Sequence, residues 1–159
     1  MTAEAPVLIA YDGSDAARRC VSEAAELVGS RRVVVVTVWE PGLAYAAAMP
    51  MSGMELTPAP VINVEVAHEA DHELQARAER IARDGAERAR SAGLQAEALA
   101  VAEEAQVAEA ITEQAKAIGA AAIAVGSRGL TGLRARMEGS TSSAVLKHAP
   151  CPVLVVHHD

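Results

Sequence analysis

The residues with the most evident chemistry lie at positions 125–145, V-G-S-R-G-L-T-G-L-R-A-R-M-E-G-S-T-S-S-A-V. Two residues separate Gly126 from Gly129, and nine more separate Gly129 from Gly139 and Ser140. Glycine tolerates positive φ and has no Cβ, so the backbone at these points can lie directly against a ligand. Ser140, Thr141, Ser142 and Ser143 precede Ala144-Val145-Leu146-Lys147-His148, which reads as a short helix closed by Ala149-Pro150. The first amides of a helix lack intrahelical partners, and its N-terminus is electropositive. Bare amides and hydroxyls together suit an anion, most naturally a phosphate. The same residues also describe an ordinary glycine-rich turn followed by a serine N-cap, and this stretch alone leaves both readings open.

Other chemistry is suggested and then weakened by its context. His68-Glu69-Ala70-Asp71-His72 matches H-E-x-x-H, the helical spacing of a zinc protease with Glu69 as general base. Asp71 is charged where such helices are apolar, the neighbours are polar, and no third ligand stands in a matching context, so a solvated helix face is expected. His157-His158-Asp159 reads as a frayed tail. Neither G-x4-G-K-[ST] nor G-x-G-x-x-G occurs, which sets aside a P-loop and a dinucleotide fingerprint. Ser140 and His148 are about two helical turns apart, too far for a nucleophile–base pair.

These residues need elements to position them. Pro6-Val7-Leu8-Ile9-Ala10-Tyr11 is a continuous apolar run suited to a strand buried on both faces, and Asp12-Gly13-Ser14-Asp15 breaks it. A helix is expected at about 16–28, capped by Ser14 or Asp15, with Ala17, Val21, Ala24, Ala25 and Val28 inward. Val33-Val34-Val35-Val36-Thr37-Val38-Trp39 is the strongest strand signal. Residues 40–61, with Pro41, Pro50, Pro58, Pro60, Met49, Met51 and Met54, read as a long irregular loop. A helix over 64–92 carries the stripe Ala67, Ala70, Leu74, Ala78, Ile81, Gly85 and Ala89. A strand at 94–102, a helix at 104–118 and a strand at 120–125 lead into the glycine motif, and a strand at 150–156 closes the chain. Alternating strands and helices predict crossover connections and a doubly wound parallel sheet, Rossmann-like or flavodoxin-like in order. Ligands in such sheets bind beyond the strand C-termini where the strand order reverses, the edge on which Asp12 and Gly126 fall.

Composition narrows the partners. A chain of 159 residues is expected to form a single domain, residues 1–159, with a substantial core. With no Phe, one Trp and two Tyr, that core must be Val, Ile, Leu and Ala. The net charge of −7 argues against a nucleic-acid or anionic-membrane surface, though not against one local phosphate site made of amides. No apolar run reaches membrane-spanning length, and residues 1–5 do not resemble a signal peptide. Cys20 and Cys151 lie in elements that read as buried and form no metal or redox motif, so reduced thiols and a cytoplasmic location are expected.

Taken together, the sequence resembles the universal stress protein family, and specifically its nucleotide-binding branch. That branch carries G-x2-G-x9-G-[ST], matched here by Gly126, Gly129, Gly139 and Ser140, with further matches at A-Y-D-G-S (10–14), V-T-V-W-E-P (36–41) and H-A-P-C-P-V-L-V-V (148–156). The resemblance implies a five-stranded parallel sheet ordered 3-2-1-4-5 with four helices. It implies binding of ATP, ADP or AMP, often with Mg or Mn on the phosphates, and no metal ligands from the protein itself. Carried across, Ala10 and Asp12 would contact the nucleoside end and Val38 the adenine. Gly126 and Gly129 would bed the ribose and phosphates, and Gly139, Ser140 and Thr141 would hold the phosphate tail, with Ser142 beside them. Arg128 flanks the phosphate loop and reads equally as a binding residue or as an exposed loop arginine. It further implies a homodimer through the last strand, about residues 151–157, and a stress-response role read through a protein partner. Tyr11 departs from the family's small aliphatic residue, and Met137-Glu138 from an apolar pair. Adenylating relatives carry H-x-G-H or S-G-G-x-D-S, absent here. A regulatory binding module is therefore expected, with slow ATP hydrolysis or a nucleotide-free dimeric scaffold as the alternatives.

Overall fold

A computed structural model describes residues 4–42, 64–104, 106–127 and 141–157. The elements run β1 (Val7–Ala10), α1 (Asp15–Val28), β2 (Arg32–Trp39), α2 (Val64–Ser91), β3 (Gln95–Ala102), α3 (Val107–Ala117), β4 (Ala122–Ser127), α4 (Thr141–His148) and β5 (Val153–His157). The strands form one parallel sheet ordered β3-β2-β1-β4-β5. Central β1 pairs with β2 through Val7↔Val33 to Ala10↔Val36, and with β4 through Val7↔Ala122 to Ile9↔Ala124. The order reverses between β1 and β4, which sit side by side with their C-terminal ends on the same edge.

Each face of the sheet has its own core. On one, Val7, Ile9, Tyr11, Val33 and Val35 meet Ala17, Cys20, Val21 and Ala24 of α1 and Ala86 and Ala89 of α2. On the other, Leu8, Val36, Ile123 and Val125 meet Ala108, Ile111 and Ala115 of α3 and Val145 of α4. Alternate residues of a strand point to opposite faces, so a strand buried on both reads as an unbroken apolar run. The alanine-rich inner faces of α1, α2 and α3 let the helices approach the valine-rich sheet closely. Fully burying each Ile, Leu or Val contributes about 1.5–3 kcal/mol of hydrophobic transfer.

The elements depart from the sequence expectations in informative ways. The stripe on α2 is buried only from Ala78 onward, through Ala82, Gly85, Ala86 and Ala89, while Ala67, Ala70 and Leu74 are half-buried and Val64 and Val66 exposed. Helix α3 begins at Val107 rather than 104, with Gln106 still in extended backbone as its N-cap, and β5 begins at Val153 rather than 150, where Pro152 contributes only its carbonyl, accepting from the Ile123 amide at 2.9 Å. Strand β4 continues through Gly126 and Ser127, since β5 runs alongside and pairs them with Val156 and His157. Cys20 is buried as expected, but Cys151 is only half-buried. The expected loop at 40–61 lies almost wholly outside the described residues; only its first three residues are seen, with Gly42 donating its amide to Asp71 Oδ1 at 2.8 Å. Among the described residues no helix is long and apolar enough to cross a membrane.

Candidate functional site

The site expectations converge on the C-terminal edge of the sheet. Strand β1 ends at Ala10, half-buried on the α3/α4 face, and β2 presents half-buried Val38 on that same face. After Tyr11 the chain emerges at exposed Asp12 and turns sharply through Gly13, which takes φ +78°. Asp12 Oδ1 accepts the Ser14 amide at 2.9 Å, and Ser14 Oγ accepts the Ala17 amide at 3.2 Å as the N-cap of α1. Parallel crossovers make every helix run back from this edge, so α1 and α4 both begin here with their positive ends outward. Their first turns differ. Asp15 already supplies a carboxylate to α1, whereas α4 opens with exposed Thr141 and Ser143, buried Ser142 and no acidic residue, and closes on Lys147 and His148. An anion therefore finds α4 the more favourable of the two.

Gly126 has a different physical reason from the one its motif suggests. It is an extended strand residue paired with Val156, and it does not take a positive φ. A Cβ there would stand 2.7 Å from the backbone C and O of Ala16 and 3.1 Å from the Ala17 amide nitrogen. The missing side chain thus admits the first turn of α1 against β4. The structure brings Ala10, Asp12, Val38, Gly126, Thr141 and Ser142 to one sheet edge; Arg128, Gly129, Gly139 and Ser140 lie outside the described residues.

Sequence reasoning missed the support beneath Asp12. Tyr11 is 2% exposed, its phenol donates to Asp84 Oδ2 at 2.5 Å, and Arg88 Nε donates to the same oxygen at 2.8 Å. The Arg88 hydrogen bond, then the Tyr11 one, hold the Asp84 carboxyl below its ordinary range. Burial, and next the Asp84 contact, push the Tyr11 phenol above its own. The ring fills a notch left by Gly85, whose added Cβ would stand 2.7 Å from Tyr11 Cδ1. Tyr11 as a departure from a small aliphatic residue, together with glycine inside a helix, was the available signal. No sequence rule joins positions 73 apart.

The H-E-x-x-H stretch resolves as a helix face. His68, Glu69 and His72 are exposed, and Asp71 anchors Gly42. Among the described residues no three His, Cys, Asp or Glu side chains are grouped to hold a metal ion. A groove of about 390 Å³ between α3 and α4, lined by Glu109, Thr112, Glu113, Lys116 and His148, contains none of the candidate residues.

The model of the universal stress protein family matches residues 5–157. The chain is 30% identical over 150 residues to Universal stress protein YxiE of Bacillus subtilis, spanning 94% of this chain and 97% of that one. It is 32% identical over 152 residues to the universal stress protein in the QAH/OAS sulfhydrylase 3′ region of Thermus aquaticus, spanning 94% and 96%. Among solved structures, hypothetical protein MJ0577 superposes with a TM-score of 0.72 at 19% identity, over 99% of both chains. The universal stress protein from Archaeoglobus fulgidus in complex with dAMP gives 0.61 at 21% identity, over 97% of this chain and 98% of that one. A family protein from Arabidopsis thaliana with AMP bound gives 0.60 at 15% identity, over 98% and 93%. At such identities the solved structures establish the fold.

Proposed function

This chain belongs to the universal stress protein family, and on that premise we propose that it binds ATP or a related adenine nucleotide and acts as a stress-response regulatory module through a homodimer. The observation that carries the reading is the acid-free, hydroxyl-bearing first turn of α4 opening beside the C-terminal ends of β1 and β4. Ala10 and Val38 supply an apolar floor for the base, and Asp12 an exposed carboxylate for the ribose hydroxyls. Gly126, Arg128, Gly129, Gly139, Ser140, Thr141 and Ser142 supply amides, hydroxyls and one cation for the phosphates, with Mg or Mn carried on the phosphates. The dAMP and AMP held by the two structural neighbours support the adenine class.

Protein purified without added nucleotide is denatured and the released small molecules identified; adenine nucleotide is expected. Calorimetric titration with ATP and AMP follows, in which Asp12→Ala weakens binding by roughly ten- to a hundredfold, the cost of removing a charged hydrogen-bonding partner. Undiminished affinity in both Asp12→Ala and Gly139→Val overturns the assignment. A second reading, a dimeric scaffold without nucleotide, is favoured by one observation: packing against Ala16 already accounts for Gly126. Absence of released nucleotide together with no heat of ATP binding decides for the scaffold. Phosphate release abolished by Asp12→Ala would instead mark slow hydrolysis.

A further inference from the structure

We infer that Tyr11 and Thr37 are positioning residues for Asp12, holding the side chain and the peptide from which that carboxylate departs. The inference rests on the nucleotide-binding reading and adds two residues to it. Tyr11 is anchored at four places. Its amide donates to Val36 O at 2.8 Å, extending the β1–β2 ladder one residue past β1. Its carbonyl accepts from Thr37 Oγ1 at 2.8 Å, and Thr37 is itself 5% exposed. That carbonyl belongs to the peptide bearing the Asp12 N–H, so the Thr37 hydroxyl sets the plane from which Asp12 leaves the sheet. The phenol is held by Asp84, and Arg88 fixes Asp84 in turn. The ring is seated over Gly85, in the core cluster that also holds Val35 of β2.

Beyond Asp12 the chain is tied again. The Asp12 carboxylate accepts the Ser14 amide, Ser14 caps α1, and a Cβ on Gly13 would stand 3.7 Å from Ile81 Cγ2 of α2. Asp12 is therefore one exposed residue between two fixed points. A group held in this way meets a ligand with little ordering left to do, and loosening one anchor costs affinity without removing a contact. Helix α2 is the far support, through Asp84, although it contributes none of the candidate residues.

The test uses the full chain and measures affinity for adenosine, ATP and inorganic tripolyphosphate at a temperature well below unfolding. Tyr11→Phe removes only the phenol hydroxyl; Thr37→Val removes only the hydroxyl on the Tyr11 carbonyl. Each is expected to weaken adenosine and ATP by the same factor, about three- to tenfold, the equivalent of one net hydrogen bond. Tripolyphosphate should be unaffected, and Thr37→Ser should retain wild-type affinity. In an Asp12→Ala background the Tyr11→Phe effect should vanish, as coupling through Asp12 requires. The variants act on different atoms, so either one that folds decides. If Asp12→Ala weakens binding while Tyr11→Phe and Thr37→Val lower only thermal stability, the positioning role is overturned and the nucleotide reading stands. Should wild-type protein bind no nucleotide, or Asp12→Ala and Gly139→Val both bind it fully, the nucleotide site falls and the positioning role with it; full binding by Asp12→Ala alone overturns the positioning role and leaves the nucleotide reading standing.

Discussion

Cys20 cannot ionise without placing a charge in the core between α1 and the sheet, where it is 0% exposed. Burial pushes its thiol from 9.0 to about 12. Above pH 9 the unfolded chain releases a proton that the folded chain keeps, so stability falls as pH rises between these values. The full loss is on the order of 4 kcal/mol. Tyr11 acts in the same direction from about pH 10 upward, because its raised phenol also stays protonated in the folded state. Urea unfolding at pH 8, 9.5 and 10.5 should show declining stability, a shallower decline in Cys20→Ala, and a further flattening when Tyr11→Phe is added. Asp84 works at the other end. Its carboxyl is depressed, so its contribution is present above the ordinary carboxylate range and is lost as pH falls through the lowered value. Tyr11→Phe should therefore also soften the acid limb. Local rules find Cys20, Asp12 and Ser14, because an apolar helical face, a strand end and a cap are each written in adjacent residues. They do not find Asp84, which in sequence is one more polar position on a charged helix and acquires its role only when β1 is laid against α2.

Two glycines show how elements constrain one another, and both predict against simple propensity. Replacing Gly85 inside α2 with Ala should gain about 1 kcal/mol from helix propensity alone. The new Cβ would stand 2.7 Å from Tyr11 Cδ1 and 2.8 Å from Val35 Cγ1. Overpacking of this kind typically costs about 1–3 kcal/mol, so Gly85→Ala should be net destabilising in urea unfolding. The penalty should shrink in a Tyr11→Val background, where only Val35 must give way. Gly126→Ala meets the backbone of Ala16 rather than a side chain, and backbone cannot rotate aside. It should cost at least as much, about 2–3 kcal/mol, and push α1 off β4. Strands β1 and β2 were legible because each carries an unbroken apolar run, Val7–Ala10 in one and Val33–Val36 in the other, as a doubly covered parallel strand requires. The inner stripe of α2 was legible only in part. Periodicity reports that a helix has an apolar face, not how much sheet lies opposite, and α2 runs 28 residues against strands of at most 8. Ala67, Ala70 and Leu74 thus share the stripe of Ala78 and Ala89 without sharing their burial.

The whole molecule has two sheet edges, and they are not equivalent. Edge strands invite pairing with another chain unless charges guard them. Strand β3 is guarded: Gln95 and Glu97 are exposed along it, and Glu97 pairs with Arg32 at 3.3 Å. Strand β5 reads V-L-V-V-H, with Val153, Leu154 and Val155 half-buried and no acid or lysine along its length. A net charge of −7 repels like molecules in general, which makes one uncharged apolar edge the place where two copies can meet at least cost. This supports β5 as the dimer edge implied by the family resemblance, and it separates that edge from β3 on physical grounds. Sedimentation velocity should give a species of twice 16.4 kDa, the chain mass. Val155→Lys should return it to monomer while keeping the fold, because the lysine stem can cover the half-buried site as its ammonium reaches solvent. Ala98→Lys, at an exposed position of β3, should leave the dimer intact. A wild-type monomer at tens of micromolar, or a dimer broken by the β3 change and spared by the β5 change, would remove β5 from the assembly and require any regulatory signal to leave the molecule by another surface.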